Sequence, residues 1–156
     1  MKGTELAGRR FPDILLPDLD GTPRPIIGAA GSCVVIGHSD CNTTRLVAPY
    51  VQRMHERVGP GSSVVLVLQD EAAPARAFLS ELDLDLPVRL EPDPYPLAQE
   101  LGLTTVPTLF LVGPTRLVER RSEGFQRAAL EDLAQRLGVE ATFFLPADTA
   151  PPLRPG

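Results

Sequence analysis

Three short apolar runs constrain the fold of this 156-residue chain more than any other feature of its sequence. They span residues 33–36, 64–68 and 109–112, and none of them alternates apolar with polar side chains. A run of this kind is typical of a strand in a sheet that is covered on both faces. Because segments with helical periodicity separate the runs, the sequence predicts an α/β fold in which helices sandwich a mixed central sheet in three layers.

The rest of the chain predicts four helices and an N-terminal hairpin. Residues 42–58 carry apolar side chains at helical spacing, and Pro49 is expected to kink this helix without ending it. The dipeptide Asp20-Gly21 favours a hairpin turn, and the surrounding prolines keep that hairpin at an edge of the structure. Further helices are predicted at 73–82, 94–101 and 126–137, and a short strand is predicted at 88–90.

Length and charge limit the classes of protein that fit. The chain is expected to form one domain over residues 1–139, followed by a proline-rich tail over 140–156. The tail has too little apolar content to order itself, although Phe143, Phe144 and Leu145 are candidates to anchor its first part. A net charge of -5 argues against a nucleic-acid partner.

Targeting signals and membrane segments are not apparent in the sequence. Residues 1–10 lack the apolar core of a secretory signal, and no apolar run approaches the roughly 20 residues that cross a bilayer. The sequence therefore predicts a cytoplasmic protein with no membrane partner.

The two cysteines differ in their surroundings. Cys41 lies in a polar turn between a predicted strand and a predicted helix, where unpaired N–H groups and the helix dipole favour a thiolate. Cys33 lies in an apolar run and is expected to be a small buried residue. A strand from 33 to 38 would span about 16 Å. A disulfide between the two cysteines is therefore not expected, since it needs Cα atoms within about 7 Å.

Two segments together resemble the thioredoxin fold, and in particular its redoxin branch, which includes peroxiredoxins and thiol–disulfide reductases. The first is Cys41 at the start of a helix that contains Pro49, and the second is the run Gly-Leu-Thr-Thr-Val-Pro-Thr-Leu-Phe at 102–110. The resemblance covers about residues 11–139. It implies that Cys41 is the attacking cysteine, that Pro107 is a cis-proline facing it, and that Thr105, Val106 and Pro107 bind the substrate, Val106 through its backbone.

The sequence also departs from that family. Thr44 stands where a second, resolving cysteine would be, so the motif Cys-Asn-Thr-Thr excludes a dithiol cycle within it. Val35 occupies the position of the buried acid of thioredoxins proper. The peroxiredoxin signature requires proline and threonine where this chain has Val34 and His38, which weakens a peroxidase interpretation.

Four neighbours of Cys41 are candidates to act on its sulfur or to shape its turn. His38 is either a proton acceptor for the thiol or a hydrogen-bonded turn residue. Thr44 either donates its hydroxyl to the thiolate or caps the helix. Arg45 would stabilise the thiolate and Asp40 would disfavour it, unless Asp40 serves as the N-cap, which is the interpretation we favour.

The function predicted from these residues is that of a single-cysteine thiol–disulfide oxidoreductase. Its Cys41 thiolate would form a mixed disulfide with a disulfide-containing protein or a small thiol such as glutathione, and an external thiol would resolve it. The alternatives are a non-catalytic binding module with the same fold and a one-cysteine peroxidase with an antioxidant role. No cofactor or metal is predicted, because Asp70, Glu91 and Asp93 have no histidine or cysteine at ligand spacing.

Overall fold

An N-terminal hairpin precedes the main sheet. Strand β1 (Leu15–Pro17) pairs antiparallel with β2 (Pro23–Pro25) and forms a two-stranded sheet of its own. Asp18 Oδ1 closes the turn by accepting the N–H groups of Asp20 and Thr22 at 2.9 and 3.0 Å. The predicted hairpin outside the central sheet is therefore confirmed. The computed structural model describes residues 8–28, 30–139 and 143–156.

The central sheet has five strands in the order β5-β4-β3-β6-β7. Its first three strands are parallel, and β6 and β7 run antiparallel to their neighbours, so the sheet is mixed as predicted. A β-bulge interrupts the pairing of β6 with β7 near Val112. The strands are β3 (Ser32–Gly37), β4 (Ser63–Leu68), β5 (Val88–Leu90), β6 (Thr108–Val112) and β7 (Val118–Glu123).

Helices cover this sheet on both faces. On β3, Cys33 and Val35 point into one apolar core and Val34 and Ile36 into the other, which explains why the run has no polar residue. The first core is formed with α1, α2 and α4, and the second with α3 and the N-terminal hairpin. The three-layer α/β/α architecture is thus confirmed. The helices are α1 (Asn42–Arg57), α2 (Ala72–Leu82), α3 (Pro96–Leu101) and α4 (Arg127–Arg136).

Two helices illustrate how local sequence sets these elements. Helix α1 continues through Pro49 to Arg57, as the spacing of its apolar residues predicts. Helix α3 is capped by Glu91, whose buried carboxylate accepts the N–H groups of Leu97 and Ala98 at 2.7 and 3.1 Å. Burial raises the pKa of Glu91, and the N–H donors oppose that shift. No helix in the described part of the chain is long and apolar enough to cross a membrane.

The tail differs from the prediction. Its described part, residues 143–156, packs against the domain and ends in a strand, although its apolar content is low. Phe143 and Phe144 are buried and anchor it as predicted, whereas Leu145 is 41 % exposed. Strand β9 (Leu153–Arg154) then pairs antiparallel with β8 (Phe125–Gln126). Residues 1–7 and 140–142, which belong to the predicted domain and tail, lie outside the described residues.

Arginine side chains of the domain add polar and cation–π contacts to the burial of Phe143 and Phe144. Arg53 donates to Asp148 at 2.7 and 3.0 Å and to the carbonyl of Phe143 at 3.1 Å. These charge-assisted bonds lower the pKa of Asp148 to about 2. Arg127 lies over the ring of Phe144, 4.4 Å from its centroid. The tail is therefore held by polar contacts between residues that are far apart in the sequence.

Candidate functional site

The sulfur of Cys41 lies at the N-terminus of α1. Cys41 is itself the N-cap residue, with extended backbone angles, and its Sγ accepts the N–H of Thr44 at 3.4 Å. The prediction that Asp40 caps the helix is wrong, because Asp40 precedes the cap position and its backbone N–H donates to His38 Nδ1 at 3.0 Å. The sulfur thus takes the place that an Asp or Ser oxygen has at most helix starts.

A second loop approaches the same sulfur from the start of β6. Cys41 Sγ lies 3.5 Å from the carbonyl oxygen of Val106 and donates to it as a thiol. The Val106–Pro107 peptide bond is cis. Thr108 Oγ1 donates to the carbonyl of Thr105 at 2.8 Å and braces the loop. The fold therefore brings together Cys41 and the three residues that the resemblance assigned to substrate binding.

Thr44 contacts the sulfur through its backbone. Its side chain is 1 % exposed, and its hydroxyl oxygen lies 3.3 Å from the backbone N–H of His38, which donates to it. A Cβ at Gly37 would lie only 2.6 Å from Thr44 Cγ2, so the strand must end in glycine for this threonine to pack. The threonine thus braces the turn before Cys41.

The imidazole of His38 contacts groups other than the sulfur. Its Nδ1 accepts the N–H of Asp40 at 3.0 Å, and its Nε2 lies 3.8 Å from Asp70 Oδ1. Nδ1 is therefore committed to a partner other than Cys41, and Nε2 lies near a carboxylate at more than hydrogen-bond distance. The alternative in which His38 accepts the thiol proton is not supported, and the hydrogen-bonded turn residue is the arrangement observed.

Arg45 is also directed elsewhere. Its guanidinium donates to the carbonyl of Ser39 at 3.2 Å, pairs with Glu81 and lies over the ring of Phe78. The prediction that this charge stabilises the Cys41 thiolate directly is therefore not supported. The physical reason is that Glu81, on α2, lies within reach of α1 and offers a carboxylate.

Sequence reasoning considered Asp70 only as a metal ligand and missed its contact with the turn before Cys41. Asp70 follows β4, is 6 % exposed, and accepts both the N–H and the hydroxyl of Ser39, at 3.0 and 2.6 Å. These bonds fix the turn that leads into Cys41. The available signal was an aspartate directly after a buried parallel strand, next to a serine in the turn that follows the neighbouring strand.

Cys33 takes no part in this site. It is completely buried in the core, and burial raises the pKa of its thiol to about 12. Both cysteines are free. Of the two sulfurs, that of Cys41 is therefore the more accessible, since Cys41 is partly exposed.

An open cleft adjoins the loop that carries Val106. It encloses about 850 Å³ and contains few charged groups. Within residues 8–28, 30–139 and 143–156, no group of three His, Cys, Asp or Glu side chains is placed to hold a metal ion. The cleft is lined by Gln69, Asp93, Pro94, Tyr95, Ala98, Gln99, Gly102, Leu103, Thr104, Thr105 and Val106.

Comparison with solved structures shows which proteins share this fold. A protein assigned as the thiol:disulfide interchange protein DsbE from Chlorobium tepidum superposes with a TM-score of 0.75 and 25 % identity over 83 % of this chain and 94 % of that chain. StoA from Bacillus subtilis gives a TM-score of 0.66 and 19 % identity over 78 % and 92 % of the two chains. No protein-family model matches the chain, and no curated protein matches it.

A third similar structure is that of a secreted protein. It is a secreted Mycobacterium tuberculosis disulfide oxidoreductase homologous to E. coli DsbE, with a TM-score of 0.67 and 11 % identity over 80 % of this chain and 96 % of that chain. The prediction of a cytoplasmic protein is corrected by this likeness to a secreted protein. The similar structures are thioredoxin-fold proteins, so the thioredoxin-like fold implied by the sequence resemblance is confirmed.

Proposed function

We propose that this chain is a thiol–disulfide oxidoreductase that works through Cys41 alone. The Cys41 thiolate attacks one sulfur of a substrate disulfide, a new S–S bond forms to Cys41, and the other substrate sulfur leaves as a thiolate with the electron pair. An external thiolate then attacks the mixed disulfide. That second exchange restores the Cys41 thiolate and leaves the outside thiol joined to the substrate.

The placement of the Cys41 sulfur carries this proposal. It lies at the start of α1, 3.4 Å from the Thr44 N–H and 3.5 Å from the Val106 carbonyl oxygen. The helix dipole and the Thr44 N–H present positive charge to the sulfur, and the Val106 carbonyl accepts from its thiol. In the proposal, a ligand that engages the Val106 carbonyl replaces this second contact and places its disulfide beside the sulfur.

The roles of the surrounding residues follow from their contacts. Val106 orients a bound polypeptide through its backbone, with Thr105 and Pro107 shaping the loop. Thr44 stabilises the sulfur anion through its backbone N–H and not through its hydroxyl, which accepts from the N–H of His38. His38 and Arg45 act as positioning residues, because their contacts hold the turn that carries Cys41.

Two observations bear on the alternatives. The peroxidase interpretation placed His38 and Arg45 around the sulfur, and both side chains are engaged with other groups. The binding-module interpretation rests on the missing resolving cysteine, since Thr44 has no thiol and Cys33 is buried. When an outside thiol attacks the mixed disulfide, no second cysteine of the chain is needed to release the substrate. The likeness to a DsbE-type structure at 25 % identity further supports disulfide exchange with proteins as substrates.

The kinetics of turnover test the proposal. We expect reduction of a peptide disulfide by glutathione to be accelerated by the protein with ping-pong kinetics, the rate rising with thiol concentration because release of the mixed disulfide needs an outside thiol. Initial rates over a grid of disulfide and glutathione concentrations measure this. Parallel double-reciprocal lines support two separate exchanges. Intersecting lines, or a rate equal to that without protein, would contradict the proposal.

A further inference from the structure

The tail reaches the candidate site. After its anchor at Phe143 and Phe144, the chain crosses α4, where the carbonyls of Ala150 and Pro152 accept from Arg127 at 3.3 and 3.0 Å. Strand β9 then adds to the edge of β8. This edge pairing is how an extended peptide binds to an open strand. The tail therefore occupies a position that a second polypeptide could take.

The last two residues lie against the loop that carries Val106. The carbonyl of Pro155 accepts the hydroxyl of Thr43, in the first turn of α1, at 2.7 Å. Gly156 is so close to Val106 that a Cβ there would overlap the Val106 carbonyl oxygen and lie 2.6 Å from Thr105 Oγ1. The Val106 carbonyl is also the group that contacts the Cys41 sulfur. The tip of the tail thus lies beside the groups that the proposed function assigns to substrate.

The domain is shaped to admit this segment closely. A Cβ at Gly124 would lie 2.6 Å from the carbonyl oxygen of Arg154 and 3.1 Å from the amide nitrogen of Gly156. Gly124 has a φ of +71°, which also favours glycine. Glycine at 124 therefore leaves room for the main chain of the tip, and glycine at 156 leaves room for Val106.

The tip and the anchor of the tail differ in how they are held. Phe143 and Phe144 are buried, whereas the side chains of residues 151–156 are all exposed. The main chain of the tip is held by hydrogen bonds to the backbone of β8 and Arg127 and to the hydroxyl of Thr43. Such bonds are individually weak and are replaced when another strand pairs with the same edge. The tip can therefore detach while the anchor remains in place.

We propose that residues 152–156 are a built-in competitor for the substrate site of Cys41. This inference rests on the proposed function and adds a substrate class, extended polypeptide, and a form of regulation. An incoming strand displaces β9, pairs with β8 and reaches Val106 in the position of Gly156. Because recognition is through the main chain, the tip competes with extended polypeptides of varied sequence and less with small disulfides.

Two tail variants test this inference. In one, residues 152–156 are removed, so that no main chain remains to pair with β8, and in the other Gly156→Val forces the tip away from Val106. The matched control is Gly59→Val, because a Cβ at Gly59 meets no atom within 4 Å. Each protein is mixed with two reagents that release 5-thio-2-nitrobenzoate when Cys41 attacks. One is an unstructured peptide whose cysteine carries that thiol as a mixed disulfide, and the other is the small symmetric disulfide of the same thiol.

The outcomes separate this inference from the proposed function. We expect both tail variants to react with the peptide about tenfold faster or more, since the competent state is no longer a minor population, with a smaller change for the small disulfide and none for Gly59→Val. Equal rates with the peptide in all four proteins, or an equal gain for both reagents, would overturn the competitor role while leaving the proposed function intact. No release from either reagent in any protein would overturn the proposed function itself.

Discussion

Cys41→Ser abolishes release of 5-thio-2-nitrobenzoate from a disulfide reagent in our account, although a second cysteine remains in the chain. The expected loss is complete within detection, because Cys33 is fully buried and burial raises the pKa of its thiol to about 12. The wild-type protein should release one equivalent per chain. Absorbance of the released thiol, followed on native protein, measures the equivalents released by the wild type and by Cys41→Ser.

The control for this prediction is Cys33→Ala. It removes the other sulfur and leaves the site around Cys41 unchanged, so we expect one equivalent at a wild-type rate and a loss of stability of about 1 to 2 kcal/mol from the cavity in the core. Denaturant unfolding measures that loss. Release that persists in Cys41→Ser, or disappears in Cys33→Ala with the fold intact, would contradict the assignment of the nucleophile.

Thr44→Cys should let the chain release its own trapped substrate. The new thiol would attack the mixed disulfide at Cys41, so that an outside thiol is no longer needed for that step. The new thiol would lie one helical turn after Cys41, on a residue whose N–H already contacts that sulfur at 3.4 Å. An oriented intramolecular thiol acts at an effective concentration far above the millimolar level of an added thiol, so release of the trapped substrate is expected to be at least about 100-fold faster. Single-turnover release of a labelled peptide from its mixed disulfide measures this rate.

Asn42→Cys is the matched control for that substitution. It adds a thiol next to Cys41, but on an exposed residue and directly adjacent in sequence, where a disulfide is strained. Its release rate should stay close to that of the wild type and depend on the added thiol. If Thr44→Cys folds and still releases its substrate only when an outside thiol is added, the two side chains do not meet as the structure implies.

The fold could be predicted from the sequence because its signals are local. The apolar run of β3 faces two cores, so no residue from Cys33 to Ile36 is polar, and the helical spacing of α1 persists across Pro49. Turn residues mark the ends of these elements. The position of Cys41 between β3 and α1 followed from the same local pattern.

The side-chain partners at the site could not be predicted in the same way. Arg45 pairs with Glu81, and His38 approaches Asp70, in each case a residue on or beside a different strand or helix. Sequence spacing suggested that these side chains would turn towards Cys41, because it was their nearest reactive neighbour along the chain. The carboxylates of Glu81 and Asp70 reach these side chains through the packing of α2 on α1 and the pairing of β4 with β3, which sequence spacing does not give.

The tail was mispredicted for a related reason. Its composition is poor in apolar residues, but Arg53 and Arg127 in the domain supply hydrogen bonds that no property of residues 143–156 reveals. Strand β9 also forms by pairing with β8, a segment of the domain that lies far from it in the sequence. Composition predicts whether a segment can order itself, and here the order comes from the surface on which the segment lies.

The most direct test of the central claim is to identify the sulfur that carries a trapped substrate. Native wild-type protein is mixed with oxidised glutathione, quenched with acid, digested and analysed by mass spectrometry. We expect one glutathione per chain, attached to the peptide that contains Cys41, with Cys33 found as a free thiol. An unmodified Cys41 alongside an intact fold, or an adduct on Cys33, would contradict the account.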